Sequence, residues 1–243
     1  MAKPQVSAGH ALMSALSGYI YRIPVIGFNF RRLAESALGK RSYQDRQFWN
    51  ESLEGWASPY LGGTLSIDLR NSITTHLANR LAPSAGSLLD LGCAGASLAA
   101  CLGPQFKTYC GVDISDVAIG KAKQQLAGMS RPSTRYELHV SAVQDFQPSQ
   151  QFDIIVFNEV LYYLSLAEVA AAIGHHCRFL HEGGLILISL KQDEVSRLVQ
   201  TVIMRELKFE YAVLYQQQSE RPTWKTVRNR ETPAYLVQAF RAR

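Results

Sequence analysis

A single stretch of small and apolar residues, SLLDLGCAGASLAACL at 87–102, constrains the fold more than any other part of the chain. The run from Ser87 to Leu91 is apolar except for one acid, and it has the length of a buried strand. Glycines and alanines follow, and Leu98 to Leu102 then suit a helix that packs back on the strand. Strand, tight turn and helix in this order bring a helix N-terminus and bare backbone amides to one place. The stretch therefore predicts a ligand-binding turn in an α/β protein.

The segments that follow this turn alternate between buried strands and helices. Strands are predicted at 106–112, 135–140, 152–157 and 185–189, and helices at 64–81, 117–126 and 166–180. Apolar runs separated by helical stretches are typical of a parallel sheet that is covered on both faces. Near the C-terminus, 210–216 and 234–240 both have strand patterns, which predicts an antiparallel hairpin at the sheet edge. Residues 223–227 are a further strand candidate, so the pairing of this region stays open.

Two acids indicate the kind of ligand. Asp90 precedes the first glycine, Gly92, whereas a dinucleotide-binding turn places phosphate over a G-x-G-x-x-G sequence. A carboxylate at this position would repel a pyrophosphate and suits a cation or a group with protons to donate. Asp113 closes the second strand and can accept two hydrogen bonds from a ribose diol. Because two nucleotide-binding classes use an acid there, an NAD(P)-dependent Rossmann oxidoreductase remains an alternative.

The motifs resemble those of one family. Asp-Leu-Gly-Cys-Ala-Gly-Ala at 90–96 resembles the first motif of class I S-adenosylmethionine (SAM)-dependent methyltransferases, and Gly-Val-Asp-Ile-Ser at 111–115 resembles the second. The resemblance implies SAM as cofactor and a Rossmann-like, seven-stranded, mostly parallel sheet with an antiparallel C-terminal hairpin. Ala94 and Ala96 stand where the family usually has glycine. Because a side chain disfavours positive φ, we expect negative φ at both alanines.

The resemblance also implies which residues of this chain contact the cofactor. The expected cofactor-binding residues are Asp90, Gly92, Cys93, Ala94, Gly95, Asp113, Ile114, Ala142, Val143 and Asn158. In this family the segment that contains Ala142 and Val143 edges the adenine with backbone amides. The two alanines of the first motif leave a non-catalytic subunit with a SAM-binding fold as a second alternative.

The catalytic candidates cluster around the end of the fourth predicted strand, where open α/β sheets bind ligands. FNEVLYYL at 157–164 resembles small-molecule methyltransferases, particularly a branch with rhizobial nodulation N-methyltransferases and others associated with glycan assembly. Glu159 is the candidate general base if burial raises its pKa, although it could instead orient the SAM amino group. Tyr162 is a candidate to hold a sugar face. His139, at a strand end near the adenine segment, is the third candidate.

The acceptor is expected to be a small molecule. The chain lacks the D/N-P-P-Y/F motif of base-methylating enzymes, so we expect no DNA substrate, and it lacks the ligand pattern of metal-dependent catechol enzymes, so we expect no metal. The prediction is methyl transfer to an oxygen or nitrogen of a saccharide or lipid-linked glycan. Four cysteines show neither C-x-x-C nor metal-ligand spacing, which favours reduced thiols in a cytoplasm.

The ends of the chain differ from its centre. With 243 residues, the chain suits an N-terminal extension and cap at 1–63 and a methyltransferase domain at 64–243. Residues 1–46 carry a surplus of five positive charges, and the part from Ser219 onward carries a surplus of four. Residues 11–32 are apolar and aromatic with cations at their end, so they are candidates for peripheral contact at the inner face of the membrane. Packing of this segment on the domain is the alternative.

Aromatic residues precede the predicted domain. Trp49, Trp56 and Tyr60 lie in a segment without a dominant strand or helix period, and in class I methyltransferases the corresponding segment often folds over the SAM pocket. By that resemblance the three aromatic residues are candidates for a lid. Packing within the extension is the alternative.

Overall fold

Seven strands form one sheet in the order β3-β2-β1-β4-β5-β7-β6. The structure is a computed structural model that describes residues 45–55, 65–129, 133–216 and 234–243. The strands are β1 (Ser87–Leu91), β2 (Thr108–Asp113), β3 (Arg135–Val140), β4 (Phe152–Asn158), β5 (Leu180–Lys191), β6 (Leu207–Gln216) and β7 (Ala234–Ala242). The first five pair in parallel, and β7 runs antiparallel to both of its neighbours, β5 and β6. The predicted fold class is confirmed.

Helices cover both faces of the sheet. They are α1 (Arg46–Gly55), α2 (Leu65–Leu81), α3 (Ser97–Cys101), α4 (Asp116–Ala127), α5 (Leu166–Cys177) and α6 (Glu194–Glu206), with a 3₁₀ turn at Leu161–Tyr163. Apolar residues of α2, α3 and α4 share one core with one face of the sheet. Apolar residues of α5 and α6 share a second core with the other face. Among the described residues, no helix has the length and apolar character to cross a bilayer.

The central strands are buried on both faces, which explains their continuous apolar sequences. Leu88 packs into the core beneath α2, whereas its neighbour Leu89 packs into the core beneath α5, because successive side chains of a strand point to opposite faces. Both leucines are fully buried. Such two-sided burial is typical of a parallel sheet. Because β1, β2 and β4 run in parallel, their carboxyl ends lie at the same edge.

Side chains fix the starts of the helices around this edge. The Ser115 hydroxyl accepts a hydrogen bond from the Ala118 amide and caps the start of α4. Ser165 and Glu168 form a reciprocal capping box at the start of α5. Each arrangement satisfies backbone amides that have no partner within the helix. The helices that follow β2 and β4 therefore begin next to the strand ends.

Three elements differ from the sequence-based expectation. The segment around Trp49, expected to be irregular, forms α1, and α6 was not predicted at all. Helix α5 ends at Cys177, and β5 begins at Leu180, ahead of the glycine pair at 183–184. Gly183 has a positive φ and lies inside the strand, where pairing with β4 shifts register. A glycine pair can thus mark an irregularity within a strand as well as a turn before it.

Several predictions fall outside the described residues. These are the membrane-contact candidate at 11–32, the lid candidates Trp56 and Tyr60, the first residue of the predicted helix at 64–81 and the strand candidate at 223–227.

Candidate active site

A cavity opens at the carboxyl ends of β1, β2 and β4, the edge where open α/β sheets bind ligands. Its lining residues come from loops, strand ends, the start of α3 and two helices that precede β1. They are Trp49, Arg70, Asp90, Gly92, Cys93, Ala94, Ser97, Leu98, Asp113, Ile114, Ala142, Val143, Gln144, Asn158, Glu159, Val160, Tyr162, Tyr163 and Leu164. The structure thus brings together all but two of the residues predicted from the sequence; Gly95 and His139 do not line it.

The turn after β1 is held tightly against β2. The amides of Gly92 and Cys93 both donate to the Val112 carbonyl, at 2.8 and 2.9 Å. Gly92 has a φ of 79°, and a Cβ at this position would lie 2.8 Å from Cβ of Val160. Glycine is therefore required here by conformation and by space.

The expectation of negative φ at the two alanines of this turn is wrong. Ala94 has a φ of 46° and Ala96 a φ of 58°, so both adopt the left-handed conformation that glycine adopts easily. This conformation costs an alanine roughly 1–2 kcal/mol. The turn keeps the shape of a glycine-rich motif because its neighbours hold it there: the Ala94 amide donates to Asp113 at 2.9 Å, and the Ala96 side chain is fully buried.

Asp113 joins this turn to the start of α4. Its Oδ2 accepts the Ala94 amide, and its Oδ1 accepts the Ser115 amide, both at 2.9 Å. Burial raises the pKa of Asp113, while the two backbone hydrogen bonds lower it. A carboxylate oxygen can accept more than one hydrogen bond, so Asp113 can still accept the hydroxyls of a ribose, as predicted from its position.

Asp90 and Arg70 place two opposite charges in the same cavity. Asp90 is 1% exposed and accepts the Tyr109 hydroxyl on Oδ2 at 2.7 Å, while its Oδ1 has no partner among the described residues. Burial raises the pKa of Asp90 to about 7. Arg70, from α2, has a buried Nε that likewise lacks a partner in the described part of the chain. An unpaired acceptor and an unpaired donor are suited to an ammonium and a carboxylate.

Sequence analysis missed Arg70, because α2 was read only for its apolar periodicity. The signal that could have found it is position: a cation in the N-terminal half of the helix directly before the binding turn. Its place in the cavity arises only from the tertiary packing of α2, which lies against α3, β5 and β7. Its neighbour Asn71 is fully buried and accepts a hydrogen bond from Asn158 at 3.3 Å.

Glu159 stands at the end of β4 with its carboxylate held in place by two hydroxyls. Tyr162 donates to Oε2 at 3.0 Å, and the single proton of the Ser189 hydroxyl is shared between Oε1 of Glu159 at 3.0 Å and Oδ1 of Asn158 at 2.7 Å. Burial raises the pKa of Glu159, while the charge of Arg70 and these hydrogen bonds lower it. Glu159 also has a φ of 56°, an uncommon conformation for a residue with a side chain and one that persists where the surroundings impose it.

Aromatic rings form one wall of the cavity. Trp49 from α1 meets Tyr163 edge to face at 4.9 Å, and Tyr163 meets Tyr162 at 4.6 Å. Helix α1 is attached to the start of α4 because Ser115 donates to Asn50 at 2.6 Å. Trp49, one of the lid candidates, lines the cavity itself. The next residue, Asn50, attaches its helix to α4.

His139 lies outside the cavity, although it was a catalytic candidate. Its ring is 44% exposed and stands 3.9 Å from Glu137 of the same strand. The potential ligand atoms of His139, Glu137 and Cys110 lie within 4.8 Å of one another. Burial raises the pKa of Cys110 to about 12, so without a metal this thiol stays protonated near neutral pH.

The fold and the cavity define a class of protein: an α/β methyltransferase, with a glycine turn after β1, an acid after β2 and a binding cavity at their carboxyl ends. The chain belongs to the methyltransferase domain family, whose members match it over residues 68–236. This confirms the prediction of a class I SAM-dependent methyltransferase and decides against the oxidoreductase alternative.

Curated relatives carry the description nodulation protein S. The one from Rhizobium tropici is 29% identical over 64% of this chain, and the match spans 63% of that protein's length. The one from Bradyrhizobium diazoefficiens is 31% identical over 46% of this chain and spans 52% of its own length. The chain thus matches somewhat over half the length of these two relatives.

Solved structures share the fold. The N-methyltransferase NodS from Bradyrhizobium japonicum, in complex with S-adenosyl-L-homocysteine (SAH), has a TM-score of 0.65 at 24% identity, with 82% of this chain and 99% of that chain covered. The magnesium protoporphyrin IX methyltransferase ChlM from Synechocystis, with bound SAM, has a TM-score of 0.58 at 15% identity, with 81% and 95% covered. These likenesses concern the fold.

The cavity fits the predicted cofactor. SAM carries an ammonium, a carboxylate, a ribose diol and an adenine, and each has a matching group: Asp90, Arg70, Asp113 and the loop around Val143. The free atoms Oδ1 of Asp90 and Nε of Arg70 are the observation on which this match rests, because buried polar atoms ordinarily have partners.

Proposed function

We propose that the protein transfers the methyl group of SAM to an amine nitrogen of a saccharide or another glycan-related small molecule. When bound, SAM supplies a methyl group that its sulfonium charge has already activated. The chain then has to align the acceptor, which can contribute roughly 7–11 kcal/mol, and to remove a proton from it. The observation that carries the proposal is the held carboxylate of Glu159 at the end of β4.

Glu159 is suited to accept the proton of the acceptor. An amine is largely protonated near neutral pH and has no free electron pair until that proton leaves. Burial raises the pKa of Glu159, which makes its carboxylate a stronger base. The Tyr162 and Ser189 hydroxyls fix its orientation. A positioned general base typically contributes about 10²–10⁴ in rate.

The charges of the cavity favour an amine over a phosphorylated acceptor. Its charged lining residues in the described part of the chain are the three acids Asp90, Asp113 and Glu159 and the single cation Arg70. This surplus of acids attracts an ammonium and repels a phosphate. The same balance supports the expectation that DNA, with its phosphate backbone, is not a substrate.

The aromatic wall supports a saccharide acceptor. Trp49, Tyr162 and Tyr163 line the cavity on the side of Glu159, and flat aromatic faces pack well against the C–H face of a sugar ring. Transfer to nitrogen is supported by the similarity to the rhizobial protein NodS, which is an N-methyltransferase. Neither observation distinguishes a free saccharide from a lipid-linked one, so both belong in the test.

The test is a transfer assay with methyl-labelled SAM and matched acceptors. One acceptor is an amino-sugar oligosaccharide with one free amine, the second is its fully N-acetylated form, and the third is a lipid-linked version of the first; a DNA duplex serves as a negative control. Label on the free amine alone supports the proposal. Label on a hydroxyl indicates an O-methyltransferase, and label on no saccharide rejects this acceptor class.

The non-catalytic alternative is tested by the same samples. If SAH binds by calorimetry but no acceptor in a broad metabolite extract receives label, the chain is a SAM-fold subunit without transfer activity.

A further inference from the structure

We propose that His175 and His176, at the end of α5, hold the loop after β3 in the shape that recognises the adenine ring of the cofactor. This loop, residues 141–146, is called the adenine loop below. The proposal rests on the proposed function only in its use of an adenosyl cofactor. The structure places Ala142, Val143 and Gln144 of the adenine loop in the cavity wall.

Each histidine binds one backbone carbonyl of the adenine loop. Nε2 of His176 lies 2.8 Å from the Val143 oxygen, and Nε2 of His175 lies 2.9 Å from the Phe146 oxygen. These two contacts tie both halves of the loop to the same helical turn. A long-range anchor of this kind fixes a surface loop that would otherwise depend on its own short-range bonds.

The remaining groups of the adenine loop show what the anchor leaves available. The amides of Asp145 and Phe146 both donate to the Ala142 carbonyl at 3.1 Å. The Val143 and Gln144 amides have no acceptor within the described ranges. The carbonyls of Ala142, Val143 and Phe146 are therefore occupied, while the amides of Val143 and Gln144 remain available as donors.

The histidine protons can be assigned from the partners. A carbonyl oxygen only accepts, so both rings carry a proton on Nε2. A guanidinium nitrogen of Arg178 lies 2.6 Å from Nδ1 of His175. Because arginine only donates, Nδ1 accepts this hydrogen bond through its lone pair and carries no proton, so the ring is neutral. His176 is 1% exposed, and burial lowers its pKa to about 4, so this ring is neutral as well.

Packing alone does not account for His176. Its Nδ1 is buried without a hydrogen-bond partner among the described residues, which is unfavourable for a polar atom. An apolar side chain of similar size would pack beside Phe157, whose ring centroid lies 5.9 Å from that of His176, without this cost. Donation to the Val143 carbonyl is what the histidine adds.

The loop chemistry selects adenine. Ring nitrogen N1 of adenine accepts a hydrogen bond from a backbone amide, whereas N1 of hypoxanthine carries a hydrogen and cannot accept. A fixed pair of donor amides at Val143 and Gln144 should therefore prefer SAH to its inosine analogue, S-inosyl-L-homocysteine. If the anchor loosens, the amides lose their fixed direction and this preference decreases.

The first experiment uses His176→Met, which removes the donor, and His176→Gln, which can place a donor near the position of Nε2. Calorimetry gives the affinities of both variants and the native protein for SAH and for the inosine analogue. We expect His176→Met to bind SAH about 3- to 10-fold more weakly, the effect of one hydrogen bond, and to lose most of its preference for adenine. His176→Gln should retain both. The exposed His181→Met is the matched control.

A general loss of structure would weaken both ligands equally. Equal weakening, or an unchanged SAH affinity in His176→Met, overturns the proposal. An absence of preference between the two ligands in the native protein overturns it as well.

The second experiment covers the case in which the buried variant does not fold. His175 is only partly buried, so His175→Met is the alternative variant. Hydrogen exchange of the adenine-loop amides in the ligand-free protein should become faster in His175→Met while that of β3 stays unchanged. Nitrogen-15 spectra of the native protein should show His175 and His176 each in the Nε2–H tautomer. Unchanged exchange or an Nδ1–H tautomer contradicts the anchor. If His175→Met shows the faster exchange but the native protein does not bind SAH, the cofactor assignment is wrong and the anchoring of the loop by the histidines is still supported.

Discussion

Among single residues, Asp90 connects ligand binding to pH. Burial raises its folded-state pKa to about 7 from 3.8, so the ionised form is disfavoured in the empty cavity. Without ligand, the free energy of unfolding should therefore lose a contribution from Asp90 as pH rises from about 4 through 7. A bound ammonium favours the ionised carboxylate. SAH affinity should consequently decrease as pH falls from 8 to 6.

Asp90→Asn tests both consequences. Loss of a charged hydrogen bond should weaken SAH binding at pH 8 by about 10-fold or more, and the pH dependence between 6 and 8 should decrease. The ligand-free variant should be more stable than the native protein at pH 8, because its amide has no charge to desolvate. Calorimetry and urea unfolding give these two quantities. An equally stable variant would show that burial of the carboxylate costs little.

Ala94 carries backbone strain that glycine would relieve. Because its φ is 46°, Ala94→Gly should raise the free energy of unfolding by about 1 kcal/mol. Ala100→Gly, in the exposed middle of α3, is the control and should lower it by about the same amount. Urea unfolding of the three proteins measures the difference. A destabilised Ala94→Gly would mean that the methyl group contributes packing that outweighs the strain.

Glu159 is the residue on which turnover should depend. Glu159→Gln keeps the size of the side chain but cannot accept a proton, so turnover should fall by about 10²–10⁴. SAH affinity and melting temperature should stay nearly unchanged. Glu182→Gln, on an exposed residue of β5, is the control. If SAH affinity falls instead of turnover, Glu159 binds the cofactor ammonium and another group accepts the proton.

At the scale of elements, the Asn50 side chain joins α1 to the start of α4. Asn50 accepts from the Ser115 hydroxyl, the cap of α4, and also donates to Asp116. Asn50→Ala should loosen α1 and weaken the hold on Trp49 at the cavity, so KM for the acceptor should rise about 3- to 10-fold, a range that corresponds to about 1 kcal/mol. Steady-state kinetics give the split between KM and kcat.

The control for this element is Gln47→Ala, because Gln47 is exposed on the same helix and, among the described residues, its side chain bonds to Glu51 of that helix. It should leave KM unchanged. An Asn50→Ala variant with native KM would mean that α1 does not contribute to the acceptor site.

At the scale of the whole molecule, the residues that are expected to bind the cofactor all belong to one compact unit, residues 43–243. We expect a protein that lacks residues 1–40 to bind SAH with native affinity and to lose sedimentation with anionic liposomes, because the deleted part is apolar and basic. Loss of sedimentation would support the proposal that residues 11–32 contact the membrane surface. A folded truncated protein that cannot bind SAH would show that the extension completes the cavity.

The sequence alone determined the sheet and the cofactor end of the site. Continuous apolar runs, the acid–glycine turn at 90–92 and Asp113 are local patterns, and local patterns reflect the burial and conformation of consecutive residues. The strands were therefore predicted within a few residues, except that β5 begins at Leu180 and not at Leu185. Helix α6 was not predicted, although Asp193 supplies a cap at its start.

Tertiary structure decided which side chains meet. Arg70 lies in the same cavity as Asp90 and Glu159 only because α2 packs on the sheet, and Ser189 reaches Glu159 only because β5 pairs with β4. His139 was placed near the site by its sequence position, yet the face of β3 from which it projects directs it to Glu137. The left-handed alanines were also beyond the sequence, since contacts with Asp113 and the core override their local preference. Such contacts join residues far apart in the chain, and only the packed fold brings them together.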